Sequence, residues 1–252
     1  MVVYVTEDNN KADAFAQAIN SLLLSVDWRK HKIILSINGC TEQAQHQIDI
    51  YHHIFHKIIY NEGNIGTAAA LNKIIALRQP GEHVIKKDDD IYVYDAGWVE
   101  QMEEAIARDP QIGIIGLKRK DLIQSPYHPD PNYRSDFVSL PHEPGQRWIT
   151  VERTNDVIGS CTMFNSALLD KIGYSRQPGK YGFEDSLMCH RSHLAGFYNC
   201  FLPHIEIDHE DPGGTDYQTW KEKHSGEMFG EYHKLVHAMI QGIEPIYYNP
   251  YD

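Results

Sequence analysis

Short apolar runs alternate with amphipathic stretches through the first half of the chain. Phe15, Ile19 and Leu22 recur at helical spacing and predict a helix over residues 12–24. Similar patterns predict helices over residues 43–53, 67–77 and 99–107. Apolar runs bounded by polar breaks predict strands over residues 2–5, 31–37, 55–60, 83–87 and 112–117. Strands that alternate with helices in this way indicate an α/β fold, with a parallel sheet covered by helices on both faces.

The second half of the chain is less regular. Residues 118–145 contain five prolines and show no clear periodicity, and loops of this length inside a compact domain usually carry function. Beyond them we predict strands over residues 157–164 and 197–207 and helices over residues 166–172, 184–195 and 217–241. No linker composition interrupts the chain, so we expect a single domain over residues 1–252.

Composition narrows the class of partner. The chain has 252 residues, of which 42% are hydrophobic, enough for a sizeable core. Its formal net charge is −12, a poor match to a broad basic face that would hold nucleic acid. An acidic chain of this kind suits recruitment of a divalent cation.

Cysteine usage and apolar runs bear on the compartment. Cys40, Cys161, Cys189 and Cys200 form no CxxC pair, which gives neither a zinc pattern nor a disulfide scaffold. The first residues show no secretory signal pattern, and no apolar run approaches the roughly 18 residues that a membrane helix needs. We therefore expect a soluble cytoplasmic protein with reduced thiols.

Three consecutive aspartates end the fourth predicted strand. Asp88, Asp89 and Asp90 lie at the carboxyl end of that strand, the edge where open α/β sheets bind ligands. A hard divalent cation would relieve the repulsion among their carboxylates. A solvated acidic turn is the alternative.

Three further segments carry candidate chemistry. Glu184 and Asp185 open a predicted helix. They are either charges that cap the helix, or one of them is a general base directed into a cleft. His209 follows a strand and is either surface or a ligand for Mn²⁺ or Mg²⁺. The loop and helix at residues 61–72 suit phosphate binding or close helix packing. The chain contains no dinucleotide fingerprint, P-loop or nucleophile elbow.

Taken in order, these segments resemble nucleotide-sugar glycosyltransferases of the A-type fold, most like family 2. The resemblance runs from about residue 2 to about residue 215 and rests on VVYVTEDNN, SINGCTE, NEGNIGTAAALN, the aspartates, YGFEDSLMCHRSHLAGF and the histidine after the next strand. It implies a Rossmann-like nucleotide-diphospho-sugar transferase fold, with a mostly parallel central sheet flanked by helices. Residues 1–117 would be the nucleotide-sugar-binding half, and residues 118–252 the acceptor and catalytic half.

The resemblance also implies a reaction and its residues. A sugar would move from a nucleoside-diphosphate sugar to an acceptor hydroxyl, with inversion, through Asp185 as base and Glu184 as an orienting group. Mn²⁺ or Mg²⁺ would be held by Asp90 and His209, together with Asp88. The donor-binding set would be Thr6, Asp8, Asn38, Asn64, Asn72, Asp88 and Asp89.

The acceptor side is less defined. Tyr127, Tyr133 and Trp148 would line it if their aromatic faces stack on sugar, whereas packing within the loop is the alternative. A glycan, a protein, a lipid-linked molecule or a nucleobase hydroxyl are all open as acceptors.

Two positions depart from the family pattern and keep other functions open. Ile37 stands where the family commonly has a nucleoside-binding Asp, and Leu71 stands where it often has an Arg. An inactive sugar-nucleotide-binding module is therefore one alternative. A metal-dependent phosphoryl-transfer enzyme or nuclease is another, because clustered aspartates also build two-metal sites.

Overall fold

The computed structural model describes residues 1–123, 136–212 and 214–252. Its first half is a set of βαβ units, as the hydrophobic pattern predicts. The elements are β1 (Val2–Tyr4), α1 (Ala12–Ser25), β2 (Ile33–Gly39), α2 (Glu42–Ile50), a 3₁₀ turn (His52–Ile54), β3 (Phe55–Tyr60) and α3 (Thr67–Ile75). The three strands form a parallel sheet in the order β1-β2-β3. Thr41 caps α2 by accepting the amide hydrogen of Ala44, which fixes where that helix begins.

The rest of the chain builds a larger sheet. The elements are β4 (Val84–Lys87), β5 (Ile91–Tyr92), α4 (Trp98–Arg108), β6 (Ile112–Arg119), α5 (Lys120–Ile123), β7 (Asp136–Ser139), β8 (Thr150–Thr154), β9 (Cys161–Phe164), α6 (Ser166–Ile172), α7 (Glu184–Leu194), β10 (Tyr198–His209) and α8 (Thr215–Ile240). The sheet has seven strands in the order β4-β9-β6-β10-β8-β7, with β5 paired to β10.

The larger sheet is mixed rather than mostly parallel. Among the described strands of this sheet, β6 and β10 form the one parallel neighbouring pair, because β9 inserts antiparallel between β4 and β6, and β5, β7 and β8 also pair antiparallel. The predicted α/β class and helix-flanked sheet are confirmed. The parallel arrangement holds throughout the β1-β2-β3 sheet alone.

Several predicted elements differ from those observed. The strand expected over residues 157–164 begins only at Cys161, since Gly159 and Ser160 turn toward the carboxyl end of β4 instead. Strands β5, β7 and β8 were not predicted; β5 has two residues, and β7 and β8 have no long apolar run. Such strands are defined by their partners, which sequence periodicity does not reveal.

Two buried clusters cover the two faces of the sheets. Along β9, Met163 belongs to the first cluster and Phe164 to the second, because successive strand residues point to opposite faces. Leu71 on α3 is 1% exposed and packs in the second cluster. The position where the family often has an Arg is therefore part of the core in this protein. Within the described ranges, no helix is long and apolar enough to cross a membrane.

Candidate active site

A cavity of about 360 Å³ lies beyond the carboxyl ends of β1, β2 and β4. It is bounded on one side by the loop before α3 and on the other by α7 and the start of α8. The parallel strands of the first sheet end at this edge, and so does β4, which places the acidic turn in the cavity wall. The three aspartates that the sequence analysis singled out therefore line this cavity.

The three aspartates diverge. Asp89 turns toward the first sheet, where its Oδ2 accepts the amide hydrogen of Tyr4 at 2.6 Å. Asp88 and Asp90 both line the cavity, and the buried Lys87 donates to the carbonyl oxygen of Ile91 and closes the turn. Asp89 thus ties β1 to β4, two strands that share no ladder. Burial raises the pKa of Asp89 to about 6, although the ammonium of Lys11 opposes this.

His209 is brought to Asp90 by the short strand that the sequence pattern missed. Strand β5 pairs with the end of β10, with Ile91 opposite His209, and the amide of Glu210 donates to the carbonyl of Asp90 at 3.0 Å. His209 Nε2 consequently lies 3.6 Å from Asp90 Oδ2. Burial opposes ionisation of Asp90, but its interactions with His209 and Lys11 outweigh burial and hold its pKa below the ordinary value.

Lys11 is a buried cationic side chain in the wall of the cavity. Its Nζ lies 2.5 Å from Asp90 Oδ2 and 3.8 Å from both Asp89 Oδ1 and Asp211 Oδ1. The lysine is 7% exposed, so its charge is compensated almost entirely by these carboxylates. Burial acts to lower the pKa of Lys11, but the carboxylates of Asp89 and Asp90 outweigh burial and raise this pKa above its ordinary value. Neither Lys11 nor Asp211 is among the residues predicted from the sequence, where Lys11 is simply a basic residue before α1 and Asp211 an acidic residue two positions after His209.

The opposite wall carries the predicted catalytic pair. Asp185 Oδ2 accepts the amide hydrogen of Gly159 at 3.1 Å, and its Oδ1 accepts that of Ser186 at 2.8 Å. The buried Lys86 lies 3.4 Å from Glu184 Oε1 and 3.0 Å from Asp88 Oδ1. Burial raises the pKa of Glu184, with Lys86 acting in the opposite direction. Lys86 therefore links the acidic turn to the start of α7, a role that sequence reasoning also missed.

Asn38 and Asn64 line the end of the cavity nearest the first sheet. The Asn38 amide donates to the carbonyl of Gly66 at 3.2 Å, and its oxygen accepts from Asn61 at 3.0 Å. Gly66 has φ +92°, a left-handed conformation that favours glycine at this turn into α3. Ile37 is buried in the core, so the position where the family commonly has a nucleoside-binding Asp is apolar here. The next residue, Asn38, supplies a polar side chain at this end of β2.

Four predicted site residues lie outside this cavity. Asn72 is buried and uses its amide in two 2.8 Å hydrogen bonds with the backbone of Ser175, so it joins α3 to the segment before α7. Asp8 is exposed in the turn after β1, and Thr6 lies in the same turn, where its amide donates to Asn9. Trp148 is 68% exposed and its ring lies 3.5 Å from that of His142. Tyr127 and Tyr133 fall outside the described residues.

The donor atoms fit a divalent cation that shares its coordination with a ligand. Among the described residues, no group of three or more His, Cys, Asp and Glu side chains is arranged to hold an ion alone. Asp90 and His209 nevertheless offer an oxygen and a nitrogen 3.6 Å apart, and the buried Oδ1 of Asp211 has no hydrogen-bond partner within the part of the chain described. Hard cations at diphosphate sites commonly take only one or two carboxylates from the protein and the remainder from phosphate and water.

Comparison with solved structures shows the same fold. A mannosyltransferase, PcManGT from Pyrobaculum calidifontis, solved with GDP-Man and Mn²⁺, superposes with a TM-score of 0.62 at 16% identity, over 87% of this chain and 57% of that one. S. aureus TarS (residues 1–349) gives 0.61 at 16% identity, over 84% of this chain and 59% of that one. GalNAc-T7, solved with UDP, GalNAc and Mn²⁺, gives 0.55 at 14% identity, over 76% and 40%. This chain thus spans less than two thirds of each of these proteins.

Sequence comparison identifies the family. No curated protein matches the chain as a whole. The sequence model of Glycosyl transferase family 2 matches residues 8–173, more than half of the chain, and the match includes the acidic turn and the loop before α3. The protein belongs to glycosyl transferase family 2.

Proposed function

We propose that the protein transfers a sugar from a nucleoside-diphosphate sugar to an acceptor hydroxyl, with the help of a divalent cation and with inversion at the anomeric carbon. One observation carries the proposal: a single cavity is lined by Asp88 and Asp90 after β4, by His209 at the end of β10, and by Asp185 at the start of α7. Structures of the same fold bind GDP-Man with Mn²⁺ and UDP-GlcNAc. We place the reaction in the cytoplasm, as the sequence predicts.

The donor would lie along the cavity from the first sheet toward α7. Asn38 and Asn64 line the end where the nucleoside would bind, and Asp88, 3.0 Å from Lys86, lines the same cavity. Asp89 supports the site through β1, since its carboxylate already accepts the Tyr4 amide hydrogen. This arrangement would orient the anomeric carbon toward Asp185.

Asp90 and His209, with Asp211 beside them, would hold Mn²⁺ or Mg²⁺. Bound there, the cation would neutralise charge on the departing nucleoside diphosphate. Lys11 contributes a fixed positive charge at the same place and lies within 3.8 Å of three carboxylates.

Asp185 would remove the proton of the acceptor hydroxyl. Its two oxygens are oriented by the amides of Gly159 and Ser186, so the carboxylate is fixed by backbone and has lone pairs to spare. The acceptor oxygen would form a bond to the anomeric carbon while the bond to the diphosphate breaks on the opposite side, which inverts the configuration. Glu184, 3.4 Å from Lys86, would position the reacting sugar.

Removing the base tests this proposal. Asp185→Asn keeps the acceptor of the Gly159 amide but cannot take a proton, so we expect sugar transfer to fall by about 10²–10⁴-fold with nucleotide binding retained. The measurement is product formation from a panel of UDP- and GDP-sugars with Mn²⁺, with nucleotide affinity measured by calorimetry. Transfer by Asp185→Asn at the wild-type rate would exclude the base, and full activity in EDTA would exclude the cation.

A further inference from the structure

An aromatic wall that the sequence analysis did not include forms one side of the cavity. Tyr181, from the loop before α7, and Tyr217 and Trp220, from the first turns of α8, all line it. The rings of Tyr217 and Trp220 lie parallel, 6.0 Å apart with an interplanar angle of 7°, and the Tyr181 and Trp220 centroids are 5.6 Å apart. All three side chains are only partly buried, so ring surface is left open to the cavity.

Two glycines position α8 against this loop. A Cβ on Gly182 would meet Ser225 Oγ at 3.1 Å, and one on Gly179 would meet Met228 at 2.8 Å. Gly182 also has φ +83°, which glycine adopts without strain. Because the glycines let α8 approach the loop closely, Trp220 lies beside Tyr181. Tyr181 is four residues before Asp185, the proposed base.

Polar groups accompany the rings. Lys221 Nζ lies 4.9 Å from the centroid of Tyr217 and 5.9 Å from that of Tyr181, and it forms an ion pair with Asp211. Apolar ring faces beside a few fixed donors and acceptors suit a pyranose, which presents C–H groups on one face and hydroxyls at its edge. The aliphatic chain of a lipid carrier would instead cover this ion pair with apolar surface, which costs the desolvation of both charges.

The wall adjoins the loop that leads to the proposed base. Asn38 lies near the end of β2 and Asn64 in the loop after β3, whereas Trp220 belongs to α8 and contacts Tyr181 in the loop that leads to Asp185. A ring stacked on Trp220 would therefore approach the site from the side of the base.

We propose that Trp220, together with Tyr181, is the stacking platform for the acceptor, and that the acceptor is a saccharide. The inference rests on the proposed function, because it assigns the second substrate of the same site. It also replaces Trp148, which lies outside the cavity, as the aromatic residue of the acceptor side.

The test is ligand-detected saturation-transfer NMR on the full chain with UDP or GDP and Mn²⁺. The probes are methyl pyranosides of glucose, galactose, mannose and N-acetylglucosamine in both anomeric forms, with glycerol, a serine peptide and thymidine as hydroxyl compounds that are not pyranosides. We expect transfer to the ring protons of at least one pyranoside. Trp220→Ala should weaken that binding by about tenfold, equivalent to about 1.4 kcal/mol, and Trp220→Phe should restore most of it.

Phe229→Ala is the matched control, because Phe229 lies on the same helix, is 55% exposed and does not line the cavity. It should leave pyranoside binding unchanged. The inference is overturned if no pyranoside binds, or if Trp220→Ala binds pyranosides as well as the wild type does. It is also overturned if Trp220→Ala loses nucleotide affinity and keeps its pyranoside affinity. Hydrolysis of a donor sugar by a protein that fails the pyranoside test would leave the proposed function standing and remove only this inference.

Discussion

Lys11→Met should destabilise the protein strongly when no divalent cation is present. The substitution keeps most of the side-chain volume and removes the ammonium of a lysine that is 7% exposed; this ammonium lies within 3.8 Å of Asp89, Asp90 and Asp211. At an effective dielectric constant of about 20, one such pair at 3.8 Å is worth about 4 kcal/mol of attraction before desolvation. Removing one partner of a buried ion pair costs about 3–5 kcal/mol. For a chain of this size that loss lowers the melting temperature by about 6–20 °C.

The same reasoning predicts how a cation changes the result. Lys11 contacts the carboxylate that is proposed to bind Mn²⁺, so the variant leaves that carboxylate free for the ion. We expect Mn²⁺ to raise the melting temperature of Lys11→Met by more than it raises that of the wild type, measured by differential scanning fluorimetry in EDTA and in Mn²⁺ near neutral pH.

Lys30→Met provides the control for loss of a lysine. Lys30 is 68% exposed in its side chain and pairs with Asp27 at 3.6 Å, so its removal should change stability by no more than about 1 kcal/mol. Equal melting temperatures for Lys11→Met and Lys30→Met would refute the buried-pair argument. An equal response of Lys11→Met and wild type to Mn²⁺ would refute competition for Asp90.

Two further predictions concern residues away from the cavity. Arg191 is fully buried and donates to three backbone carbonyls. Because each carbonyl left without a donor costs about 1–3 kcal/mol, Arg191→Lys should lower the free energy of unfolding by about 2–5 kcal/mol. Urea titrations measure this, and a change below about 1 kcal/mol would contradict it. His83 Nδ1 accepts the amide hydrogen of Ser166 at 2.9 Å, and burial lowers the pKa of His83 from its ordinary 6.5. The unfolded chain therefore binds the proton first as pH falls below 6.5, and stability is lost in that direction. Melting curves near pH 7 and near pH 5 should show a larger fall for wild type than for His83→Asn, which retains an acceptor; equal falls would count against the assignment.

Hydrophobic periodicity determined most of the elements. The strand at Phe55–Tyr60 and the helix at Ser166–Ile172 have the predicted bounds, and α1 differs from its prediction by one residue. Local patterns suffice here because each element has an apolar face and a polar break at its ends. The order of the acidic turn, the Glu184-Asp185 segment and His209 was likewise enough to indicate the family.

Pairing of strands decided the rest of the fold. Strand β5 has two residues and no periodicity, yet its pairing with β10 brings His209 to Asp90. The insertion of β9 between β4 and β6 makes the larger sheet mixed, and no local pattern records that choice. Contacts between residues far apart in sequence have no signature in a window of neighbouring residues.

The sequence by itself determined the α/β class, the family and the carboxylates that carry the proposed chemistry. Only the tertiary structure decided what each carboxylate contacts: Asp89 binds the Tyr4 amide, Asp90 contacts Lys11 and His209, and Asp185 is oriented by Gly159. The acceptor wall that we propose on α8 takes the place of the one expected near the proline-rich segment. The physical reason is common to all of these: three adjacent aspartates are equivalent in sequence, and they become different only when the strand ends and helices around them supply different partners.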